Sequence, residues 1–238
     1  MNINLTWLLS KYIHRKDWLS FLKLNTTFYD FGSLSSSIDP TIYTNYAIRC
    51  AAQNGYVKIV EILLQDPRVE PFTLMSIYVI VKDSQVIELV LQDPRVDPSA
   101  NYNYAIIHAN ENKVTSLLLQ DPRVDPSDIN NDAIIFAGTN GHVKVVELLL
   151  QDHRVDPSAQ YNSAIRYAAQ NGHVKVVELL LQDPRVDPSD FDNEAIIVAA
   201  QNGHVKVVKL LHQDPRVEHM LLERFMMFFQ YLLIKMIK

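Results

Sequence analysis

The sequence predicts an all-α solenoid of stacked helix-turn-helix repeats with protruding loops. The first observation behind this prediction is the segment Gln-Asp-Pro-Arg-Val, which recurs along the 238-residue chain with one substitution, His153 for proline. The spacings between copies are 27, 28, 31, 31 and 31 residues, counted between Asp66, Asp93, Asp121, Asp152, Asp183 and Asp214. A fixed period of this size is typical of an array of supersecondary units and not of a closed globule.

The second observation is that each repeat contains start and stop signals for two helices, best seen in residues 156–186. We expect Asn162, which stands just before x-Ala-Ile, to cap the first helix with its side chain. Gly172 follows Gln-Asn, where a left-handed residue would end that helix. The second helix, VKVVELLLQ from Val174, has a broad apolar face and a narrow Lys-Glu-Gln stripe, and must end before Pro184.

Six repeats follow from these signals, and none can bury its apolar faces without its neighbours. The second and third lack the Asn-Gly turn and are shorter, so we expect less regular stacking there, with a shorter first helix in the third. The predicted repeats 1 to 6 are 39–69, 70–96, 97–124, 125–155, 156–186 and 187–217. Residues 1–38 are predicted to form a degenerate N-terminal helical cap and linker, and residues 218–238 a C-terminal capping helix.

The segment SAIRYAAQNGHVKVVELLL, which begins at Ser163, resembles the ankyrin consensus, and the resemblance extends from Asp39 to Val217. The chain departs from the family at Ser163-Ala164-Ile165-Arg166, where Thr-Pro-Leu-His is usual. The Gln-Asp-Pro-Arg-Val-Asp-Pro-Ser punctuation is similar to that of the ankyrin family expanded in amoeba-infecting giant DNA viruses. The resemblance implies a protein-binding role for the concave face formed by the loops and first helices.

The repeats differ most at the loop tip and at the start of the first helix, whereas the second helices of the last three are nearly identical. A constant scaffold with a variable, aromatic-bearing edge is typical of a binding surface, since aromatic side chains supply contact area at low entropic cost. Relaxed constraint at exposed tips would give the same variation. The predicted partner-binding residues are Tyr43, Tyr46, Asn101, Tyr102, Tyr104, Ile129, Asn130, Asp132, Gln160, Tyr161, Ser163, Phe191, Asp192 and Glu194.

Other recurring residues could be taken for metal ligands, acid-base groups or a basic binding surface. Their spacing and their position in turns argue against these roles. His142, His173 and His204 occupy one place in consecutive repeats, and stacked helices lie roughly 8–10 Å apart, too far to share a zinc ion bound at about 2 Å. The aspartates lie in Asp-Pro turns, where backbone capping explains them. The arginines of the recurring segment are flanked by acids, which favours salt links between loops over a basic recognition ladder. Cys50 is expected to be a buried, inert thiol.

Composition narrows the function classes further. The net charge of −5 comes without clustered lysine and arginine, so nucleic acid is not an expected partner. One cysteine and the absence of a leader predict an intracellular, cytoplasmic protein, in the host cell if the chain is viral. We predict a monomeric protein-protein interaction scaffold without catalytic residues, cofactor or metal. Membrane association through the apolar segment 218–238 is the alternative to its capping role.

Overall fold

The computed structural model describes residues 48–49, 51–65, 67, 69 and 83–217. Every regular element within them is an α-helix, which confirms the predicted all-α class. The chain divides into two compact regions, Met1–Asp97 and Pro98–Lys238. The repeat boundaries stay predictions. The predicted caps, together with Cys50, Tyr43 and Tyr46, lie outside the described residues.

In the first region, α1 (Val57–Leu64) and α2 (Ser84–Gln92) contact each other. α1 follows a turn at Gly55, whose φ is 70°. α2 begins in a repeat without the Asn-Gly turn, and there the side chain of Asp83 accepts a hydrogen bond from the backbone N–H of Gln85 at 2.9 Å. An aspartate therefore caps the second helix of this repeat.

The second region consists of two layers of helices. The helices are α3 (Ala100–Ile107), α4 (Asn112–Gln120), α5 (Asp128–Thr139), α6 (Val143–Gln151), α7 (Ala159–Gln170), α8 (Val174–Gln182), α9 (Asp190–Gln201) and α10 (Val205–His212). The odd-numbered first helices contact one another in succession, and so do the even-numbered second helices. Each first helix also contacts the second helix of its own repeat. Ile134, Leu149, Ile165 and Leu180 are fully buried within this array.

The glycine turns agree with the sequence prediction. Gly172 has a φ of 75°, and its N–H donates to the carbonyl of Ala169 at 3.2 Å. The N–H of His173 donates to the carbonyl of Ala168 at 2.9 Å. These two bonds satisfy the last carbonyls of α7 in a Schellman arrangement, which requires a left-handed residue between them.

The prediction that Asn162 caps its own helix is wrong. Asn162 is itself left-handed, with a φ of 55°, and is almost completely buried. Its Oδ1 accepts from the N–H of Asp187 at 2.8 Å, and its Nδ2 donates to Oδ2 of Asp190 at 2.9 Å. The side chain therefore holds the loop of the next repeat, because the left-handed backbone turns it away from the N–H groups of α7.

The second helices and the shortened third repeat match expectation. α8 ends at Gln182, and Asp183 then has an extended ψ of 121°, as its position before Pro184 requires. α3 has 8 residues, whereas α5 and α7 each have 12.

Candidate protein-interaction surface

A short left-handed turn precedes the right-handed part of every first helix in the second region. Three consecutive residues in each repeat have φ between 48° and 67°. A left-handed conformation costs roughly 1–2 kcal/mol for each residue with a side chain, so tertiary contacts must hold these turns. The turns are Asn101–Asn103, Ile129–Asn131, Gln160–Asn162 and Phe191–Asn193.

We call residues 101–104, 129–132, 160–163 and 191–194 the loop edge. The first two residues of each left-handed turn are the variable positions that the sequence selects. Tyr102 is 73% exposed, Tyr161 67% and Phe191 54%, so these large side chains project into solvent. Ile129 adopts the same left-handed conformation although it is β-branched, which is rare. The third residue of each turn is a buried asparagine, which anchors the turn.

Neighbouring turns of the loop edge contact each other. The rings of Tyr161 and Phe191 lie 5.8 Å apart, measured between centroids. The side-chain amide of Gln160 lies 3.2 Å from the carbonyl oxygen of Asn130 and 3.2 Å from Oδ1 of Asp132. The predicted residues of repeats 4, 5 and 6 therefore form a continuous surface.

Ser163 lies within the loop edge but is not exposed, although the sequence selected it as a contact residue. It is 4% exposed, and its hydroxyl donates to the carbonyl oxygen of Gln160 at 2.7 Å. This bond stabilises the left-handed turn, so the hydroxyl is used within the repeat. We therefore leave Ser163 out of the proposed contact residues.

Arg166, whose side chain is only 12% exposed, contacts the loop edge and was missed by sequence reasoning. Its guanidinium lies 4.5 Å from the centroid of the Phe191 ring and forms an ion pair with Glu194. It also donates to the carbonyls of Gln160 and Tyr161, at 3.3 and 3.2 Å. The signal was present in the sequence, since repeats 3, 4 and 6 have Ile107, Ile135 and Ile197 at this position, and only repeat 1 shares the arginine, as Arg49.

A second group of side chains, which we call the aromatic strip, lies along the first helices. Tyr104 and His108 have ring centroids 4.0 Å apart, and His108 and Phe136 form an edge-on contact at 4.6 Å. Tyr167, at the position equivalent to Phe136, is 40% exposed. Burial lowers the pKa of His108, with the charge of Asp132 acting in the opposite direction. The strip therefore presents an uncharged, largely aromatic surface at neutral pH.

The recurring arginines serve as links between repeats. Arg185 pairs with Asp183 at 2.6 Å and donates to two carbonyls of the preceding repeat, those of Val155 at 2.7 Å and Leu150 at 3.3 Å. Arg154 makes the same set of bonds one repeat earlier. The hydrogen bond from Arg185 is the main cause that lowers the pKa of Asp183. These guanidinium groups bind the preceding repeat and so hold consecutive repeats together. This favours links between loops over a basic surface that recognises a partner.

The recurring histidines also link repeats. His173 Nε2 lies 3.0 Å from the carbonyl oxygen of Thr139 in the preceding repeat, and His204 Nε2 lies 2.9 Å from that of Gln170. The His173 ring covers Gly141 so closely that an added Cβ there would lie 2.6 Å from Nδ1. Within the described ranges, no group of three or more His, Cys, Asp or Glu side chains could hold a metal ion.

Residues 155–220 match the family model of ankyrin repeats (3 copies). No curated protein matches the chain. With the helical architecture, this match confirms the predicted fold class, an ankyrin-type solenoid. Ankyrin repeats are generally protein-protein interaction modules, and proteins built from them are typically not enzymes.

The membrane alternative depends on residues 218–238, which lie outside the described part of the chain. Within that part, no helix combines the length and the apolar character that crossing a membrane requires.

Proposed function

We propose that the chain is an intracellular scaffold that binds a protein partner through its loop edge and aromatic strip. The observation that carries this proposal is the set of exposed aromatic side chains on repeated left-handed turns. Tyr102, Tyr161 and Phe191 are all more than half exposed. They stay this exposed although Tyr161 and Phe191 contact each other and Arg166 lies against the Phe191 ring.

The support beneath the loop edge favours binding. Asn103, Asn131 and Asn162 are buried and bond to the following repeat, which fixes the turns before a partner arrives. A preorganised surface loses less conformational entropy on binding. Tyrosine and phenylalanine have only two side-chain torsions, so their own ordering also costs little.

The aromatic strip and the exposed rings of the loop edge supply the apolar part of the proposed interface. The polar residues of the loop edge, such as Asn130 and Gln160, supply its rim. This arrangement, an aromatic centre with polar groups around it, is common in protein interfaces. The proposal places the protein in a cell interior. The punctuation of the repeats supports an origin among amoeba-infecting giant DNA viruses, for which that interior would be the infected host's.

The test compares two variants that alter different faces of the array. The unaltered chain is first used to isolate a binding partner. The affinity of this partner is then measured for the triple variant Tyr102→Asn/Tyr161→Asn/Phe191→Asn. Asparagine tolerates the left-handed backbone, so the turns should persist. The control is Lys144→Ala/Lys175→Ala on the second helices, where the two lysine side chains are 70% and 74% exposed.

We expect the aromatic variant to lose at least about tenfold in affinity, because aromatic residues dominate interface energetics. The lysine variant should stay within about twofold, in line with the small effect of an exposed charge at the rim. Thermal melting of both variants should match that of the unaltered chain. Loss of affinity in the lysine variant alone would place the partner on the opposite face.

A further inference from the structure

At two junctions of the array, an aspartate at the start of a first helix joins two hydrogen-bond donors. Asp128 Oδ2 accepts from Nδ2 of Asn103 at 2.9 Å, and its Oδ1 accepts from the backbone N–H of Ile129 at 2.7 Å. Asp190 makes the same two bonds with the same lengths, two repeats further along. One carboxylate thus connects the buried asparagine of one repeat to the left-handed turn of the next.

Ala159 occupies this position at the junction between repeats 4 and 5. Asn131 has the same orientation as its equivalents, since its Oδ1 accepts from the N–H of Asp156 at 2.7 Å. It is only 9% exposed. Among the residues that the structure describes, neither Nδ2 of Asn131 nor the N–H of Gln160 has an acceptor. A buried donor in this condition costs roughly 1–3 kcal/mol.

We propose that these two donors form a carboxylate-binding site, and that the acidic side chain of a protein partner enters it. The neighbouring junctions show the geometry, because there the same pair of donors holds an aspartate carboxylate at both oxygens. Charge-assisted bonds of this type are about twice as strong as neutral ones. The role in partner recognition rests on the proposed function, whereas the binding of a carboxylate group does not.

The charges around the site are compatible with an anion. Asp156 is nearby, but its Oδ1 already accepts from the N–H and the hydroxyl of Ser158, at 2.9 and 2.6 Å. The equivalent Asp-Ser pairs of repeats 4 and 6 make the same bonds beside Asp128 and Asp190. An ionised carboxylate is therefore tolerated in these surroundings.

Repeat 5 also differs from its neighbours by a positive charge. Arg166 donates to the carbonyls of Gln160 and Tyr161, so its guanidinium lies against the same turn. Repeats 4 and 6 have Ile135 and Ile197 at this position. Glu194 pairs with Arg166 and offsets part of this charge. Relative to its neighbours, the turn of repeat 5 has lost an aspartate and gained an arginine.

The site lies next to Tyr161, which is 67% exposed. Tyr161 directly follows Gln160 in the left-handed turn, so a partner chain that contacts this ring passes close to the Gln160 N–H. An aspartate or glutamate of the partner and a small free carboxylate share the same chemistry, and the experiment separates them.

The first measurement is a titration of the isotope-labelled full chain with sodium acetate, followed by amide NMR against sodium chloride at equal ionic strength. We expect saturable shifts of the Asn131 side-chain amide and the Gln160 backbone amide. The Ala159→Asp variant carries its own carboxylate, so both signals should stay unchanged on acetate addition. The side-chain amide of Asn162 is an internal control. Shifts that do not saturate, or that persist in Ala159→Asp, would refute the site.

The second measurement is partner affinity for Ala159→Asp and for Ala159→Ser. We expect Ala159→Asp to weaken binding at least about tenfold, since its carboxylate competes for the donors and repels the incoming acid, while Ala159→Ser stays close to the unaltered chain. Acetate binding with unchanged partner affinity would assign the site to small free carboxylates and overturn the partner role. If the aromatic variant loses the partner while acetate never binds, the proposed function stands and this inference fails.

Discussion

Repeats 3 and 5 present the same kind of loop edge on different supports. On the loop side they match, since Asn103 and Asn162 both bond to the following repeat and both turns are left-handed. On the opposite side, α3 is four residues shorter than α7, with 8 residues against 12. Glu111 also stands where His173 bonds to the preceding repeat in repeat 5.

This difference shows that the two sides of a repeat tolerate change independently. Repeat 3 keeps the asparagine link and the left-handed turn of its loop edge, although it lacks the glycine turn and the histidine link. Erosion of repeat 3 therefore spares the surface that we propose for binding and affects the side that only stacks. Substitutions of the asparagine, histidine and arginine residues that connect consecutive repeats can test whether the two sides are independent.

We expect the largest loss of stability when the asparagine link is removed, that is, the bonds from the buried asparagine of one repeat to the loop of the next. Asn162→Ala removes two buried bonds to repeat 6, and we expect a loss of about 3 kcal/mol in the free energy of unfolding. Asn131→Ala removes one bond together with the unpaired Nδ2 donor, so it should cost less than half as much. Both residues are left-handed, so the backbone cost of alanine cancels between them. Chemical denaturation of both variants measures the difference, and equal losses would contradict it.

The next effect concerns the histidine link. Gly172 and Gly203 have nearly the same φ, 75° and 76°. A Cβ on Gly172 would lie 2.6 Å from Nδ1 of His204, whereas within the described residues nothing lies within 4 Å of a Cβ on Gly203. Gly203→Ala should cost about 1–2 kcal/mol of left-handed strain, and Gly172→Ala about 1 kcal/mol more because His204 must move. Equal falls in the melting temperatures of Gly172→Ala and Gly203→Ala would show that contact with the His204 ring does not affect stability.

Acid should weaken the arginine links in both kinds of repeat. Hydrogen bonds from the neighbouring arginine lower the pKa values of Asp121, Asp152 and Asp183 below their ordinary value of 3.8. A lowered pKa in the folded state gives stability that is present above the unfolded pKa and is lost as pH falls through the folded one. We expect the free energy of unfolding to drop below about pH 4, by under roughly 1 kcal/mol for each pair. In Arg185→Gln this drop should be smaller, and an unchanged acid profile would rule out the contribution of that pair.

The smallest predicted effect is a gain in repeat 3. Thr115 is completely buried where repeat 5 has Val177, and its hydroxyl donates to the carbonyl of Glu111 at 3.0 Å. The backbone N–H of Thr115 donates to the same carbonyl, so that carbonyl stays bonded without the hydroxyl. Thr115→Val should therefore raise stability by about 0.5–1 kcal/mol. A loss of stability would show that the hydroxyl bond matters more than its burial.

Local signals in the sequence were enough to predict the glycine turns and the second helices. The role of Asn162 could not be predicted, because its partners Asp187 and Asp190 lie 25 and 28 positions away and come near only after stacking. The left-handed turns were also missed, since residues such as Ile129 and Tyr161 have no local preference for positive φ.

Native-state hydrogen exchange of the full chain tests the independence of the two sides most directly. Amides of residues 114–118 in α4 should exchange at least about tenfold faster than those of residues 176–180 in α8, because repeat 3 lacks the glycine turn and the histidine link. The N–H of Asn103, which donates to the carbonyl of Ser99 at 2.8 Å, should exchange as slowly as the N–H of Asn162. Equal exchange rates in residues 114–118 and 176–180 would contradict the account. So would faster exchange at the N–H of Asn103 than at the N–H of Asn162.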